Sequence, residues 1–373
     1  MQRLHACCAR AAMAMLLSLG AVSIAQADMG GTTITGFGTV GGSISSNSDY
    51  AYRHDPTEAT GATNQFDIGL ESRLGVQAVM DFGSGISVTA QELARERGNE
   101  VFSLGTEWLY LQYAPDSDWK LRLGRVALAT FLVSDSREVG YAAPWFHAPN
   151  ELYGSNSFQY VDGAQVRWHH SLGPVGIMLE GSLGSGTSRY FFLGRTIDIN
   201  LKDVSNLAAT FDYRDFRFRV ARTRANSPTT FPLGPNFAVS YMLRDVFTSV
   251  GMQYDNGKAL VLSEWAKRTE NDMPVLNEPL AVSHEWYVAG GWRFGKLTPL
   301  LSYGTFDSGK SVIEQAGKFG TWSGSLRYDV VRNVALKAQI SRPQAGNSTY
   351  WTLFNSASSK RIDVYSVGAD FVF

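Results

Sequence analysis

The chain has 373 residues, of which 33 are Lys or Arg and 34 are Asp or Glu, so its formal net charge is -1 at neutral pH. This balance excludes a nucleic-acid-binding protein on charge. The two cysteines, Cys7 and Cys8, lie near the N-terminus. The rest of the chain therefore has no disulfide framework, no thiolate metal site and no cysteine nucleophile.

The N-terminal segment has the pattern of a secretory signal peptide. Two arginines precede an apolar run that ends near residue 24, and the small residues Ala25 and Ala27 follow it. The run is too short for a comfortable membrane-spanning helix and leads into a typical cleavage site. We expect residues 1–27 to be removed on export. Residues 28–373 should form a single domain, because no linker or change in composition divides them.

The exported part contains stretches in which apolar and polar residues alternate, which is the period of a β-strand. In "FDIGLESRLGVQAVM", the apolar residues share one face, whereas Asp67, Glu71 and Arg73 share the other. The stretches "WKLRLG", "FRFRV" and "VALKAQIS" divide in the same way. Helical spacing explains none of these patterns, so each predicts a strand with one apolar face.

Stretches of this kind predict sixteen strands. They lie at 32–44, 65–81, 86–97, 104–114, 119–127, 157–170, 174–186, 202–213, 216–225, 245–255, 259–269, 284–294, 297–306, 319–329, 334–342 and 361–373. Tight links alternate with long connections at 45–64, 98–103, 128–156, 187–201, 226–244, 270–283, 307–318 and 343–360. Membrane barrels have short periplasmic turns and longer outer loops. The sequence therefore predicts an all-β fold, a transmembrane antiparallel up-and-down β-barrel of sixteen strands.

Aromatic residues cluster at the strand ends beside the tight links. They are Tyr113, Trp119, Tyr213, Phe216, Tyr254, Phe294, Tyr328 and Phe373. Such positions are typical of the membrane–water interface, where an amphipathic ring is stable. The alternative is that aromatic residues are simply common in strands, but this would not place them at one end.

Several segments of the sequence resemble a Gram-negative outer-membrane porin of the general diffusion type. They are "ITGFGTVGG", "SRLGVQ", "EWLYLQYAP", "LRLGR" and the C-terminal "GADFVF". The resemblance implies a 16-stranded barrel in the outer membrane, usually a homotrimer, whose third long loop folds into the lumen. It also implies that Phe371 and Phe373 belong to a terminal signal read by the barrel-assembly machinery.

The third long connection, 128–156, is the longest, and its many aromatic residues argue against disorder. In porins of the resembled type, this loop brings carboxylates to the pore waist, opposite cations on the barrel wall. The matching carboxylates here are Asp135, Glu138 and Glu151, and the matching cations are Arg73, Arg95, Lys120 and Arg122. The acidic, glycine-rich tip of the enterobacterial loop is missing. The alternative is that the three carboxylates are solvated or pair locally.

Other charged residues fall on the inward-facing parity of their strands. They are Asp67, Glu71, Arg217, Arg219 and Lys337. A charge facing lipid costs roughly 2–4 kcal/mol near the bilayer midplane, so these side chains should line the lumen. Arg222 and Arg224 have outward parity, and they either contact lipopolysaccharide phosphates or are turned inward by a bulge.

Motifs for catalysis are absent from the sequence, including G-x-S-x-G and H-E-x-x-H. His169 and His170 are adjacent on a predicted strand, so they point to opposite faces and cannot share one metal ion. We expect no catalytic residue, no metal and no cofactor. The expected function is a water-filled channel for passive diffusion of small hydrophilic solutes and ions. A substrate-specific channel is the alternative, and an outer-membrane enzyme or adhesin is a less favoured one from another class.

Overall fold

A computed structural model describes residues 27–28, 31–47, 51–54, 57–58, 60–97, 101–156, 158–192, 195–234, 237–271, 281–309, 317–345 and 362–373. Residues 1–26 of the predicted signal peptide thus lie outside the described residues. Sixteen strands form one sheet. They are β1 (Thr32–Ser45), β2 (Arg73–Gly83), β3 (Ile86–Arg97), β4 (Val101–Tyr113), β5 (Trp119–Ala127), β6 (Tyr160–Leu172), β7 (Val175–Phe192), β8 (Arg195–Tyr213), β9 (Phe216–Gly234), β10 (Phe237–Asp255), β11 (Ala259–Asn271), β12 (Ala281–Trp292), β13 (Leu297–Asp307), β14 (Lys318–Val331), β15 (Val334–Ala345) and β16 (Val364–Val372).

The sheet closes on itself into an up-and-down barrel. Each strand pairs antiparallel with the next one along the chain, and β16 returns to pair with β1 from Val364↔Ser45 to Val372↔Phe37. A two-residue strand, Ala27–Asp28, pairs antiparallel with Ile34 and Thr33 near the start of β1. Closure removes the free edges at which an open sheet would leave backbone groups unpaired.

The two faces of the strands differ in the way the sequence predicts. On β15, Leu336 and Ile340 point outward and are 48% and 41% exposed, whereas Lys337 and Gln339 point inward and are 4% and 6% exposed. On β2, Leu74 is likewise exposed and apolar. An apolar outer band around a polar interior is the arrangement of a barrel that crosses lipid. The predicted fold class is therefore confirmed.

Aromatic residues ring one end of the barrel. Tyr113, Trp119, Tyr213, Phe294 and Tyr328 are between 40% and 62% exposed, and all lie next to short links. Exposed aromatic rings at this position suit the boundary between hydrocarbon and water. This end of the barrel is the one that the sequence assigns to the periplasmic side.

The predicted strand at 65–81 is wrong over its first half, because β2 begins only at Arg73. The preceding segment turns instead. Asp67 Oδ1 accepts a hydrogen bond from the backbone N–H of Gly69 at 2.7 Å, and Ser72 Oγ donates to the carbonyl of Ile68 at 2.8 Å. Such local bonds between side chain and backbone compete with a strand ladder. The segment pairs with β1 through an isolated β-bridge, Ser43↔Asp67, in place of a continuous ladder.

Three of the long connections were predicted wrongly, at 98–103, 187–201 and 226–244. The ladder between β7 and β8 continues to Phe192↔Arg195, and that between β9 and β10 continues to Gly234↔Phe237. In the third case, β3 ends at Arg97 and β4 begins at Val101, three residues earlier than predicted. A strand that extends beyond the lipid needs no apolar outer face, so its alternating pattern is lost although its backbone remains paired.

The connection between β5 and β6, residues 128–159, contains the helical segments of the described chain. They are two 3₁₀ turns at Ser134–Ser136 and Gly140–Ala142 and a four-residue helix, α1 (Asn150–Tyr153). None of the helices among the described residues is long and apolar enough to cross a membrane. We call residues 128–159 the β5–β6 loop.

Candidate functional site

The β5–β6 loop packs against inward-facing side chains of the barrel. Its residues Phe131, Trp145, Leu152 and Tyr153 are nearly fully buried. They form one apolar cluster with Phe247, Leu260, Leu262, Ala266, Tyr287, Ala289 and Leu300, which belong to strands β10 to β13. Burial of several large apolar side chains, each worth about 1.5–3 kcal/mol, holds the loop against these strands.

A buried glutamate on β11, Glu264, accepts hydrogen bonds from both the loop and the barrel wall. Glu264 Oε2 accepts a hydrogen bond from the backbone N–H of Leu132 at 2.9 Å. Its other oxygen accepts from the hydroxyl of Tyr287 at 2.9 Å and from the hydroxyl of Tyr153. Three hydrogen-bond donors meet at this one carboxyl group, so Glu264 is a strong attachment point for the loop.

A buried lysine on β15 makes the second attachment. Lys337 Nζ lies 2.8 Å from Asp370 Oδ2 and donates to the carbonyls of Gly140 at 2.6 Å and Trp145 at 2.9 Å. On β14, Arg327 likewise donates to a loop carbonyl, that of Tyr141, at 2.6 Å. Lys337 thus points inward, as the sequence predicts, but the loop covers it.

The three carboxylates predicted for the pore waist lie in different surroundings. Glu138 Oε2 lies 3.2 Å from Arg73 Nη1, so one of the predicted carboxylates meets one of the predicted cations. Asp135 instead pairs with Arg167, a residue outside the predicted set, with 2.9 Å between Oδ2 and Nη2. Their role in selecting solutes stays a prediction.

Glu151 is buried at the start of α1 rather than opposite a predicted cation. A Cβ atom at Gly304 would lie 2.5 Å from Glu151 Oε2, so the missing side chain of that glycine makes room for the carboxyl group. Burial raises the pKa of Glu151 to about 7, because a charge in this environment is poorly solvated.

The predicted cations on the barrel wall differ in their contacts and exposure. Arg122 donates to the side-chain oxygens of Gln112 at 2.9 Å and Gln165 at 3.2 Å. Lys120 is exposed and lies opposite Arg167 in the strand register. Arg95 lies opposite Arg73 in the register between β2 and β3.

Arg122 belongs to a group of five charges that we call the arginine cluster. It comprises Arg122, Arg167, Arg219, Asp135 and Glu180. Glu180 lies 2.6 Å from Arg167 and 2.7 Å from Arg219. The cluster holds three guanidinium groups and two carboxylates, so it has an excess of one positive charge. Sequence reasoning missed Arg167 and Glu180, although the apolar neighbours Val166 and Leu179 show that both have inward parity.

The remaining predicted residues are spread over the barrel. Arg217 pairs with Asp212 at 2.7 Å near a short link, where both side chains are substantially exposed. Phe371 and Phe373 lie on the outer face with their rings over Gly38 and Gly36 of β1, positions at which a side chain would collide with the rings. The arrangement closes the seam between the first and last strands, and the assembly signal stays a prediction.

Three titratable side chains that the sequence left apart are brought together at the start of β2. His54, Glu71 and His147 place their ligand atoms within 4.8 Å of one another. Burial alone would raise the pKa of Glu71, but the two histidines and the hydroxyl of Ser43 outweigh it and lower the pKa to about 2. No spacing motif marks this group, because each residue comes from a different segment.

Comparison of the sequence alone finds no relative: no protein-family model matches it, and no curated protein matches it significantly. Solved structures do match. The OmpT outer membrane protein of Vibrio cholerae, in-vitro folded and in trimer form, is 13% identical with a TM-score of 0.60, covering 92% of this chain and 99% of that one.

Two further structures match to the same extent. An anion-selective porin from Comamonas acidovorans is 11% identical with a TM-score of 0.61 and covers 92% of this chain and 100% of its own. The outer membrane channel DcaP of Acinetobacter baumannii is 14% identical with a TM-score of 0.59, covering 93% and 99%. These low identities concern the fold, and the chain has the fold of the 16-stranded outer-membrane porins.

Proposed function

We propose that the protein is a water-filled channel of the cell outer membrane, through which small hydrophilic solutes and ions diffuse passively. One observation carries the proposal: charged groups inside the barrel keep contact with solvent. The side chain of Asp135 is 52% accessible although it lies within the barrel, next to Arg167. A barrel of sixteen strands is wide enough to leave an aqueous channel beside such groups.

The outer face of the barrel supports a location in the outer membrane. Apolar side chains such as Leu74 and Leu336 are exposed on it, and they would be stable against lipid but not against water. Arg222 and Arg224 are exposed on the same face, where lipopolysaccharide phosphates could pair with them. Residues 28–373 would then form one membrane domain after removal of the signal peptide.

The β5–β6 loop would form the constriction of this channel. It lies against β10 to β13 and attaches to β15, and its Asp135 reaches the wall arginine Arg167, so the passage would run beside the arginine cluster. Asp135 and Glu138 on the loop and Arg122 on the wall would set the field across the passage. Charges in a narrow, partly dry pore decide which ions and dipoles pass.

A liposome-swelling experiment tests passive diffusion. Liposomes containing the purified protein should swell in uncharged sugars, at rates that fall as sugar size increases. Arg122→Trp, which adds bulk beside the passage, should lower the rates. Leu123→Trp is the matched control, because Leu123 is the next residue but points outward and is 63% exposed. Liposomes that do not swell with folded protein would refute the channel and favour an enzyme or adhesin.

A preference for anions is a second candidate, favoured by the positive excess of the arginine cluster. One of the structurally similar proteins, from Comamonas acidovorans, is described as an anion-selective porin. The reversal potential in a salt gradient should show preferred passage of chloride. Arg122→Gln together with Arg167→Gln should shift it toward cations, whereas Arg217→Gln, near the rim, should change it little. Equal passage of both ions would remove this candidate and leave the diffusion channel.

We also propose that the channel is a homotrimer, since the similar OmpT of Vibrio cholerae is described in a trimer form. Light scattering on the detergent-solubilised protein, corrected for bound detergent, measures the mass of the complex directly. A mass of three chains is expected, and a mass of one chain would contradict the proposal.

A further inference from the structure

Three separate segments of the chain meet at one end of the β5–β6 loop, in a group that we call the His–Glu–His cluster: His54, Glu71 and His147. His54 precedes β2 on the 51–54 segment, Glu71 lies just before β2, and His147 lies on the β5–β6 loop. Glu71 Oε1 is 3.0 Å from His147 Nε2 and 3.6 Å from His54 Nε2. One carboxylate oxygen therefore faces the same ring nitrogen of both histidines.

The two imidazole rings are stacked face to face, with 3.6 Å between centroids and 5° between planes. The side chains of His54, Glu71 and His147 are only 10%, 5% and 13% accessible. Three side chains that can each offer one ligand atom thus converge at a poorly hydrated point of the fold. Binding of one ion by both Nε2 atoms would turn the rings out of this parallel stack, because each nitrogen lone pair lies in the plane of its ring.

Surrounding contacts hold the backbone of His147 and the carboxylate of Glu71. The backbone N–H of His147 donates to Gln339 Oε1 at 3.0 Å. Glu71 Oε1 accepts a hydrogen bond from Ser43 Oγ, which itself lies 2.7 Å from Ser366 Oγ. Such outer contacts orient the ligands of a metal site and reduce the cost of assembling it on binding.

The 51–54 segment, which carries His54, is held by backbone and side-chain contacts as well. Tyr52 pairs with Ala62 through two backbone hydrogen bonds, and Asn150 Nδ2 donates to the carbonyl of Arg53 at 2.9 Å. The ring of Tyr52 packs edge-on against His54, with 4.9 Å between centroids. The cluster is thus built into the fold and is not a chance meeting of exposed side chains.

We propose that His54, Glu71 and His147 bind one Zn²⁺ ion, with a fourth position left to water. Imidazole nitrogen with a carboxylate suits zinc, whereas calcium and magnesium prefer oxygen ligands throughout. Ligand atoms around a tetrahedral zinc ion are about 3.3 Å apart, given metal–ligand distances of about 2.0–2.2 Å. The observed 3.0 and 3.6 Å bracket this separation. The ion would join the β5–β6 loop to the barrel wall, a role independent of what the channel passes.

Calorimetric titration of the detergent-solubilised full-length protein with zinc chloride tests the proposal. The protein should carry no polyhistidine tag and should first be treated with a chelator. One ion per chain is expected. His54→Ala and His147→Ala should each weaken binding by about 100-fold, and Glu71→Gln by at least about tenfold. His284→Ala is the matched control, because His284 is an exposed histidine on β12 and should leave binding unchanged.

The same titration can overturn the proposal. Wild-type protein that binds no zinc would refute the site. His54→Ala and His147→Ala variants that bind zinc as the wild type does would show that the ion lies elsewhere. Far-ultraviolet circular dichroism must show that each variant is folded. Should a variant fail to fold, wild-type protein loaded with Co²⁺ provides the second readout: intense visible absorption indicates a tetrahedral site, and the weak spectrum of octahedral cobalt refutes it.

Discussion

Lys337 shows at the scale of one residue how the β5–β6 loop depends on a buried charge. It neutralises Asp370 and donates to two loop carbonyls at once. Lys337→Met leaves Asp370 buried without its partner, which should destabilise the barrel by about 3–5 kcal/mol. Thermal unfolding followed by circular dichroism should show a clearly lower midpoint. Lys120→Met, which removes an exposed lysine, should leave the midpoint nearly unchanged, and equal effects would contradict this account.

The buried carboxyl group of Glu151 should make the stability of the protein depend on pH. Its pKa is raised to about 7 in the folded protein, above the ordinary value of a glutamate. The stability it contributes is fully present below about pH 4.3 and is lost as pH rises to about 7, at most about 4 kcal/mol in total. Glu151→Gln should remove this loss, so the variant should unfold at a higher temperature than the wild type at pH 8 and at a similar one at pH 4. An identical pH profile of the two proteins would contradict the burial of a neutral carboxyl group.

At the scale of the element, the β5–β6 loop should be released by loss of its attachment to β11. Glu264→Ala removes the acceptor for Leu132, Tyr153 and Tyr287. We expect larger fluctuations of single-channel current, because the freed loop would move in the passage. Glu285→Ala is the matched control: Glu285 is equally buried on β12, but its hydrogen bond goes to Ser283 on its own strand. Equal noise in both variants would show that the loop does not gate the current.

Single strands could be predicted from the sequence wherever they cross lipid, because there one face must be apolar. This is why β1, β3 and β5 agree with prediction to within a residue or two. Outside the lipid the constraint disappears, and the extensions of the β7–β8 and β9–β10 hairpins beyond the predicted strands were missed for that reason. The sequence assigns Arg73 to the wall and Glu138 to the loop, but it does not give their pairing. Nor does it give the pairing of Asp135 with Arg167, because both depend on the path of the loop across the barrel.

At the scale of the whole molecule, the seam between β1 and β16 determines whether the barrel closes. The backbone N–H of Gly36 donates to the carbonyl of Phe373 at 2.7 Å, and the ring of Phe373 fills the space above Gly36. Phe373→Ala should therefore reduce the amount of folded protein recovered in the outer membrane at high expression. Phe82→Ala, a change to an exposed aromatic residue at a short link, should reduce it less. Normal recovery of the Phe373 variant would contradict a role of this residue in assembly.

The central claim is that the closed sixteen-stranded barrel holds a continuous path of water. Single-channel recording of the purified protein in a planar lipid bilayer tests it most directly. We predict discrete current steps that are linear in voltage and rise in proportion to the conductivity of the salt solution, as expected for ions that move through water. Folded protein that inserts into the bilayer and gives no current steps would contradict the claim.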